Sequence, residues 1–421
     1  MFKDKTFSLL MKELYGYKRL GMRPSLPPVK QLLAILGNPQ KKIDFIHVAG
    51  TNGKGSTTAY IASILAESGY KTGAFFSPHL VDYRERIQIN GRMVSKQVIV
   101  KTLNRMGRLY DSADKKGIPC PKNITFFEWT TALAFCCFVE TGVDVAVMET
   151  GMGGRFDATN VIDPLVSVIT NISKEHTAFL GNTIGSIAYE KAGIIKRGRP
   201  VVFGDKTPQA VKVIHDISKK RGTTPLFLGK NFSITDKGEF LSSKGERFKL
   251  SPCMPGAHQL INSAVAVQAV LVSGLTISEK AIAKAVSRTR LPGRFEIVKR
   301  KKRTLIFDAA HNPAAVKLLV SNLKAIYPNR KFDIIFGVLR GKNFRMMLKM
   351  LAPVTASMAC ITPDDFRAVP ANALLPYARK AGIKAVHIEH HEMKSIAKNS
   401  SPRMLLVTGS FTTLEAVKKN I

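Results

Sequence analysis

Where short apolar runs of this chain end, residues able to handle a phosphate chain follow. The densest group is Gly50-Thr51-Asn52-Gly53-Lys54-Gly55-Ser56-Thr57. Backbone N–H groups bared by glycine, one ammonium and the hydroxyls of Ser56 and Thr57 suit a polyphosphate. The amides cradle its oxygens, Lys54 bridges the β- and γ-phosphates, and Ser56 or Thr57 reaches Mg²⁺. The strict phosphate-loop pattern has Ser or Thr directly after the lysine; here Gly55 intervenes. Further along stand Ser77 in SPHL, Glu149 before TGMGGR and His176 at the end of NISKEH. They offer hard oxygen and imidazole ligands, and Mg²⁺ takes few such groups while keeping waters and phosphate oxygens. Taken singly, each has a plainer role as a strand-end carboxylate, a loop hydroxyl or a structural histidine.

The elements that must position these groups alternate. Residues 43–49 form an apolar, β-branched run of the kind found in buried parallel strands, and a helical spacing begins at Thr57. Strands are predicted at 71–76, 144–149 and 165–170, and helices at 98–113, 125–140 and 184–196. Residues 1–40 read as two helices around the loop RPSLPP. The alternation predicts an α/β fold: a P-loop, doubly wound, mostly parallel sheet, with ligands gathered at the carboxyl ends of its strands. Gly50, Ser77, Glu149 and His176 all fall at or just past such ends. Residues 225–252 suggest small hairpins turning at 236–238 and 243–245, and helices follow at 260–273 and 278–289. Leu291-Pro292-Gly293 marks the expected boundary between an ATP-binding domain, 1–292, and a smaller Rossmann-like α/β domain, 293–421. In the latter, strands are predicted at 304–308, 332–336, 358–361, 385–388 and 404–408, with a helix at 314–326. Its polar clusters are Asp308, His311 and Asn312 in DAAHNP, and the run VTGS at 407–410; Arg294 lies just past the boundary.

A chain of 421 residues with 45% hydrophobic content can bury two cores. The best apolar run, 132–139, is too short to cross a bilayer, and the N-terminal stretch lacks a signal-peptide core, so a cytoplasmic protein is expected. The five cysteines form no CxxC pair and read as reduced thiols. Against 30 Asp and Glu stand 64 Lys and Arg, a formal charge of +34. The basic residues are spread along the chain, with KRKKR at 299–303 the main cluster and no aromatic-interleaved recognition motif beside it. That spread argues for a solvated basic surface that also attracts anionic substrates, and against a nucleic-acid partner.

Nine motifs carry a resemblance: LGNPQ, HVAGTNGKGST, SPHL, ERIQING, METGMGGRFDATN, EKAGIIK, LPGRFE, DAAHNP and VTGS. In this order the chain resembles folylpolyglutamate synthase/dihydrofolate synthase, the folate branch of the Mur-ligase family, from about Leu36 to Ser410. GTNGKGS accounts for the intruding Gly55. The resemblance implies that Mg²⁺-ATP phosphorylates a substrate carboxylate, and that the amino group of L-glutamate attacks the acyl phosphate and releases inorganic phosphate. Closing domains would hold the reactants together and exclude water. It implies two Mg²⁺ ions, one on Ser77 and Glu149 and one on Glu149 and His176, and a carbamylated Lys191. Asn262, Arg294 and Asp308 match nucleotide contacts alongside residues 50–57; His311 and Ser410 match positions near the incoming glutamate. Phe127 and Asp157 match a pterin pocket, an aromatic face and a carboxylate for the amino-pyrimidine edge. The implied substrates are 7,8-dihydropteroate, tetrahydrofolate and L-glutamate, handled by a monomer, with Lys54, Glu149, His176, Lys191 and His311 as the reacting machinery. The chain departs from the family at Glu175, where Asp is common, and at Gly341-Lys342-Asn343, where the family often has Asp-Lys-Asp. The rivals are another Mur-family amino-acid ligase, such as one acting on a cell-wall precursor, and a P-loop ATPase acting on nucleic acid.

Overall fold

The apolar runs pair into sheets. The computed structural model describes all residues except 1, 3, 4, 18–20, 22–24, 301, 302, 399–402 and 421. Parts of two sequence features, RPSLPP and the KRKKR cluster, therefore lie outside the described residues. The chain folds as two compact units. One comprises Met1–Ser77, Arg84–Pro252 and Leu260–Thr289; the other comprises Pro78–Tyr83, Cys253–Gln259 and Arg290–Ile421.

In the first unit, eight strands among the described residues form one sheet. They are β1 (Asp44–Ala49), β2 (Thr72–Phe75), β3 (Ile87–Ile89), β4 (Arg92–Met93), β5 (Val145–Glu149), β6 (Val166–Ile169), β7 (Val201–Phe203) and β8 (Pro225–Phe227). Their order is β4-β3-β2-β5-β1-β6-β7-β8. Every pairing from β2 to β8 is parallel; β3 and β4 add an antiparallel hairpin at the edge. The hairpin turns at Asn90-Gly91, both at positive φ (48° and 71°), as a type I′ turn requires. The register sets Val48 opposite Glu149 and Ala49 opposite Ile169, so the ends of β5 and β6 flank the loop that follows β1. A separate three-stranded antiparallel sheet joins β9 (Ser233–Ile234), β10 (Glu239–Leu241) and β11 (Arg247–Lys249).

Helices cover the large sheet because its strands are apolar on both sides. Phe126–Glu140 packs through Phe135, whose ring meets Phe45 edge-on at 5.4 Å. Phe138 of the same helix fills the space that a side chain on Gly73 would need. Ile187 of Ile184–Ala192 and Ala210 and Ile214 of Pro208–Lys220 bury against Ala49, Ile169 and Val201. The helix predicted at 184–196 stops at Ala192. Gly193 there presses on Arg155, whose Cα would lie 2.3 Å from any Cβ at that position. Among the described residues no helix is long and apolar enough to cross a membrane.

The second unit holds a six-stranded sheet of β12 (Glu296–Lys299), β13 (Thr304–Phe307), β14 (Phe332–Phe336), β15 (Thr355–Cys360), β16 (Ala385–His387) and β17 (Leu405–Thr408). Its order is β12-β13-β17-β14-β15-β16, parallel except for β12. At the amino ends of these strands the Arg303 side chain, 3% exposed, pairs with Asp333. Arg303 also donates to the carbonyls of Ile396 and Arg403, both at 2.9 Å. Without Arg303 the part-buried Asp333 is left with the looser Arg403, 3.8 Å away, an unfavourable state that an apolar pair of similar volume avoids. Arg303→Met is therefore expected to destabilise this unit by about 3 kcal/mol. Arg303→Met/Asp333→Leu should recover most of that loss, as read from denaturation midpoints by far-UV circular dichroism.

Candidate active site

The glycine loop is tied down by the strand beside it. Thr51 N–H donates to the Asn171 carbonyl (2.8 Å), and Asn52 N–H to Asn171 Oδ1 (3.0 Å). In return Thr170 Oγ1 and Asn171 Nδ2 donate to the Asn52 carbonyl at 2.6 and 2.9 Å. Thr51 Oγ1 reaches the Ser173 carbonyl at 3.1 Å. These bonds hold the loop against the end of β6. Gly53 then turns the chain into the helix Lys54–Glu67 at φ +83°, with Asn262 Oδ1 lying 2.5 Å from where its Cβ would stand. A left-handed residue with no room for a side chain must be glycine. Asn262 is thus brought against the loop, as the resemblance implies.

Two ammonium groups meet on one carbonyl. Lys54 Nζ donates to Gly50 O at 3.1 Å and to Thr51 O at 3.2 Å, and Lys191 Nζ donates to Gly50 O at 2.7 Å. Lys191, near the end of Ile184–Ala192, is 3% exposed. Burial first, and then the charge of Lys54, pull its pKa down to about 7, against the opposing pull of Glu175 and Asp157. Glu149 closes β5 and is also 3% exposed; its Oε2 accepts the Ser77 N–H at 3.0 Å. The end of β2 and the end of β5 are joined by that bond. Ser77 Oγ lies 3.5 Å from an Arg86 guanidinium nitrogen. His176 sits in the left-handed region (φ 50°) at the start of Thr177–Leu180, its Nε2 3.6 Å from Glu175 Oε1.

Phe127 and Asp157 lie beside the turn that follows Glu149. A capping box at Thr125 and Glu128 fixes the first turn of Phe126–Glu140 and with it Phe127. The Phe127 ring approaches Gly151 so closely that a Cβ there would meet it at 2.6 Å, and Phe75 stands 5.9 Å behind, centroid to centroid. The Asp157 carboxylate accepts Met152 N–H (2.9 Å), Thr159 N–H (3.1 Å) and Thr159 Oγ1–H (2.6 Å). Burial raises its pKa, and those hydrogen bonds oppose the rise. The residue therefore caps the short helix Ala158–Val161 as well as facing the turn.

The second unit carries its own cluster past the ends of β13 and β17. Asp308 accepts the N–H groups of Phe295 (2.9 Å) and Ala310 (3.0 Å), which fastens the LPGRF turn to it. Its pKa is raised by burial, with Arg294 pulling the other way. The Arg294 guanidinium lies 4.8 Å over the Phe411 ring. His311 Nδ1 faces the Ala309 carbonyl at 2.9 Å; a carbonyl only accepts, so Nδ1 carries the hydrogen. Ser410 accepts Thr413 N–H at 3.1 Å and caps the helix Phe411–Asn420. In the departing stretch, Asn343 Oδ1 accepts Met346 N–H at 3.2 Å and caps Phe344–Leu351. An aspartate would make the same bond, so this change removes charge and keeps the cap.

The residues present suit a Mg²⁺-nucleotide. Two lysine heads crowd one carbonyl, and the charge they share suits an incoming anion. Thr57 Oγ1 and Thr150 Oγ1 are buried without a hydrogen-bond partner among the described residues. Among those residues no three His, Cys, Asp or Glu side chains cluster as a closed metal cage. A carboxylate and hydroxyls beside a phosphate loop are instead what Mg²⁺ uses. The clamp residues Thr170 and Asn171 escape sequence reasoning; their only signal is a pair of polar residues at a strand end. The buried polar pair His47 and Thr159 escapes it too.

Comparison with known proteins agrees with this geometry. Residues 48–270 match the Mur ligase middle domain, and residues 293–411 the Mur ligase glutamate ligase domain. The dihydrofolate synthase/folylpolyglutamate synthase of Bacillus subtilis is 34% identical over 422 residues, covering 97% of each chain. The Escherichia coli protein of the same name is 34% identical over 378 residues, 89% of this chain and 86% of its own. Among solved structures, the folylpolyglutamate synthase of Thermotoga maritima superposes with a TM-score of 0.86 at 33% identity, covering 98% of this chain and 96% of that one. E. coli FolC in complex with DHPP and ADP gives 0.86 at 30% identity, covering 99% and 97%.

Proposed function

We infer the activity from the family: this chain belongs to the dihydrofolate synthase/folylpolyglutamate synthase branch of the Mur ligases, and it is an ATP-dependent ligase joining a folate-type carboxylate to L-glutamate. The observation that carries the reading is the meeting of a clamped phosphate loop, two lysine heads on the Gly50 carbonyl and the buried Glu149 at one sheet edge. Its substrates are 7,8-dihydropteroate and tetrahydrofolate.

The chemistry needs an anionic carboxylate to approach an anionic γ-phosphate, so the protein must cancel repulsion before it can orient anything. The amides of residues 50–57 hold the phosphates, and Asn262 fixes the glycine turn beneath them. Lys54 exchanges its carbonyl partners for β- and γ-oxygens. Ser77, Glu149 and His176 would hold Mg²⁺, which supplies charge neutralisation at the transferred phosphoryl group. Lys191, as a carbamate, turns a cation into an anion beside that site. The first unit carries the phosphate loop and the pterin pocket, where Phe127 stacks and Asp157 takes the amino-pyrimidine edge. Residues 293–421 carry Arg294 and Asp308 for the nucleotide, and His311 and Ser410 for glutamate, whose amine attacks the acyl phosphate. The enzyme works in the cytoplasm as a monomer and without nucleic acid.

Mass spectrometry of products from dihydropteroate and from tetrahydrofolate, each with ATP and glutamate, tests the assignment. A glutamate adduct on either is expected; ATP turnover stimulated by DNA or RNA and not by pteroate plus glutamate would overturn it. Asp157→Ala should raise the KM for dihydropteroate about a hundredfold, since a charge-assisted contact to the pterin edge is lost. An unchanged dihydropteroate KM would remove Asp157 from the pterin pocket.

A further inference from the structure

β1 carries a histidine where its neighbours are apolar. His47 is fully buried between Ile46 and Val48, and its Nε2 lies 2.8 Å from Thr159 Oγ1, 112 residues away in the chain. Thr159 Oγ1 is in turn 2.6 Å from Asp157 Oδ1. The directions of these bonds follow from what each atom can do. With Asp157 ionised, as a donating pterin edge requires, its carboxylate only accepts, so the single Thr159 hydroxyl hydrogen goes to Asp157. Thr159 Oγ1 must then accept from His47, which places the ring hydrogen on Nε2. Nδ1 is left as an acceptor, buried and without a partner among the described residues. Burial, with Lys196 nearby, drops the His47 pKa to about 3 and keeps the ring neutral. An apolar residue would fill this strand position without an orphaned nitrogen, so what distinguishes a histidine here is the bond that Nε2 makes.

We propose that His47 is a positioning residue for the pterin end of the substrate: its Nε2–H orients the Thr159 hydroxyl, which holds the Asp157 carboxylate turned beside Gly151 and Phe127. The chain of donors points one way, and each bond strengthens the next. It favours the ionised carboxylate that a pterin edge, donating two N–H groups, requires. The loop around it is fixed independently: Asn160 Nδ2 donates to the carbonyls of Arg155 and Gly193, both at 3.0 Å, and Lys196 Nζ to the Asn160 carbonyl at 3.2 Å. Loss of His47 therefore loosens one carboxylate and leaves the loop in place. This inference rests on the pterin-pocket reading of Asp157.

The test uses His47→Leu, His47→Gln, Thr159→Val and the double variant His47→Leu/Thr159→Val, with steady-state kinetics for dihydropteroate and ATP. His47→Leu and Thr159→Val should each raise the dihydropteroate KM about tenfold, with kcat and the ATP KM within about twofold. His47→Gln, whose amide N–H reaches the Nε2 position, should stay within about threefold of the parent. The double variant should be no worse than Thr159→Val alone, since both break one relay. His47 lies three residues before Gly50, so a merely structural role would move the ATP KM as well. An unchanged dihydropteroate KM in His47→Leu, parallel losses for both substrates, or no rescue by glutamine overturns the proposal. If His47→Leu does not fold, His47→Gln compared in Thr159→Val and parent backgrounds makes the same distinction: any effect in the parent must vanish in Thr159→Val. Asp157→Asn separates the two layers. If it leaves the dihydropteroate KM unchanged, the pterin reading fails; if it raises that KM while His47→Leu and Thr159→Val do not, only the relay fails.

Discussion

Replacing Lys191 with alanine is expected to lower ligation by about a thousandfold or more, the scale on which preorganised charge at a transferred phosphoryl group acts. Short carboxylic acids should restore part of the activity, on the order of tenfold, by standing where the carbamate would be. The structure explains why this lysine is open to such chemistry. Carbon dioxide attacks the neutral amine, and at an ordinary lysine pKa only about one amine in three thousand is neutral at pH 7. Burial and the neighbouring Lys54 bring Lys191 to about 7, so that near half of it is neutral there. Carbamate formation releases protons, so at fixed dissolved carbon dioxide its occupancy should rise as pH passes upward through 7. Nuclear magnetic resonance with ¹³C-bicarbonate reads the carbamate carbon directly. Lys191→Met, similar in volume and without an amine, should lose both signal and activity. Near-parent activity in Lys191→Ala, or no carbamate signal at pH 8, would remove the role.

Much of the first sheet's working edge is legible in the sequence because each of its signals is local. An apolar run, a glycine turn and a helix-period stretch lie side by side at Gly50–Lys54, and their meaning does not depend on distant residues. Strands at 144–149 and 165–170 are likewise bounded by polar residues and emerge as Val145–Glu149 and Val166–Ile169. The edge hairpin escapes such a reading although Asn90-Gly91 is a strong turn signal; its strands are only three and two residues long, too short to show alternation. The helix expected to reach Lys196 ends at Ala192, where the Glu190 carbonyl accepts the Arg155 N–H in place of the next turn's amide, a contact fixed by tertiary packing. The same holds for Asn171 on the glycine loop and for His47 with Thr159. Their types are visible in the chain, but the atoms they meet are supplied by another strand or by a loop far along it. Asp157 shows both sides at once: the resemblance implies a site carboxylate, and the structure adds a cap, with three donors sharing its two oxygens.

Glu149→Gln is the sharper test of how the metal is held. The amide is isosteric and its oxygen can still accept the Ser77 N–H that joins β2 to β5, so the sheet edge should keep its shape. What disappears is one negative charge in a site 3% exposed. A buried carboxylate stays ionised only at a desolvation cost, and with the charge gone the fold should be unchanged or more stable by about 1 kcal/mol. Activity should move the other way. If Glu149 is the carboxylate that would hold Mg²⁺, its loss would leave only hydroxyls, phosphate oxygens and His176 to hold the ion. The Mg²⁺ concentration giving half-maximal ligation should rise more than about tenfold, and kcat should fall about a hundredfold or more, since charge at the transferred phosphoryl is no longer balanced. Chelation of the parent enzyme should abolish ligation reversibly. The combination of a higher melting temperature with a displaced Mg²⁺ titration belongs to a metal ligand. A lowered melting temperature with an unmoved titration would make Glu149 a structural acceptor for Ser77, and the metal would have to be sought elsewhere.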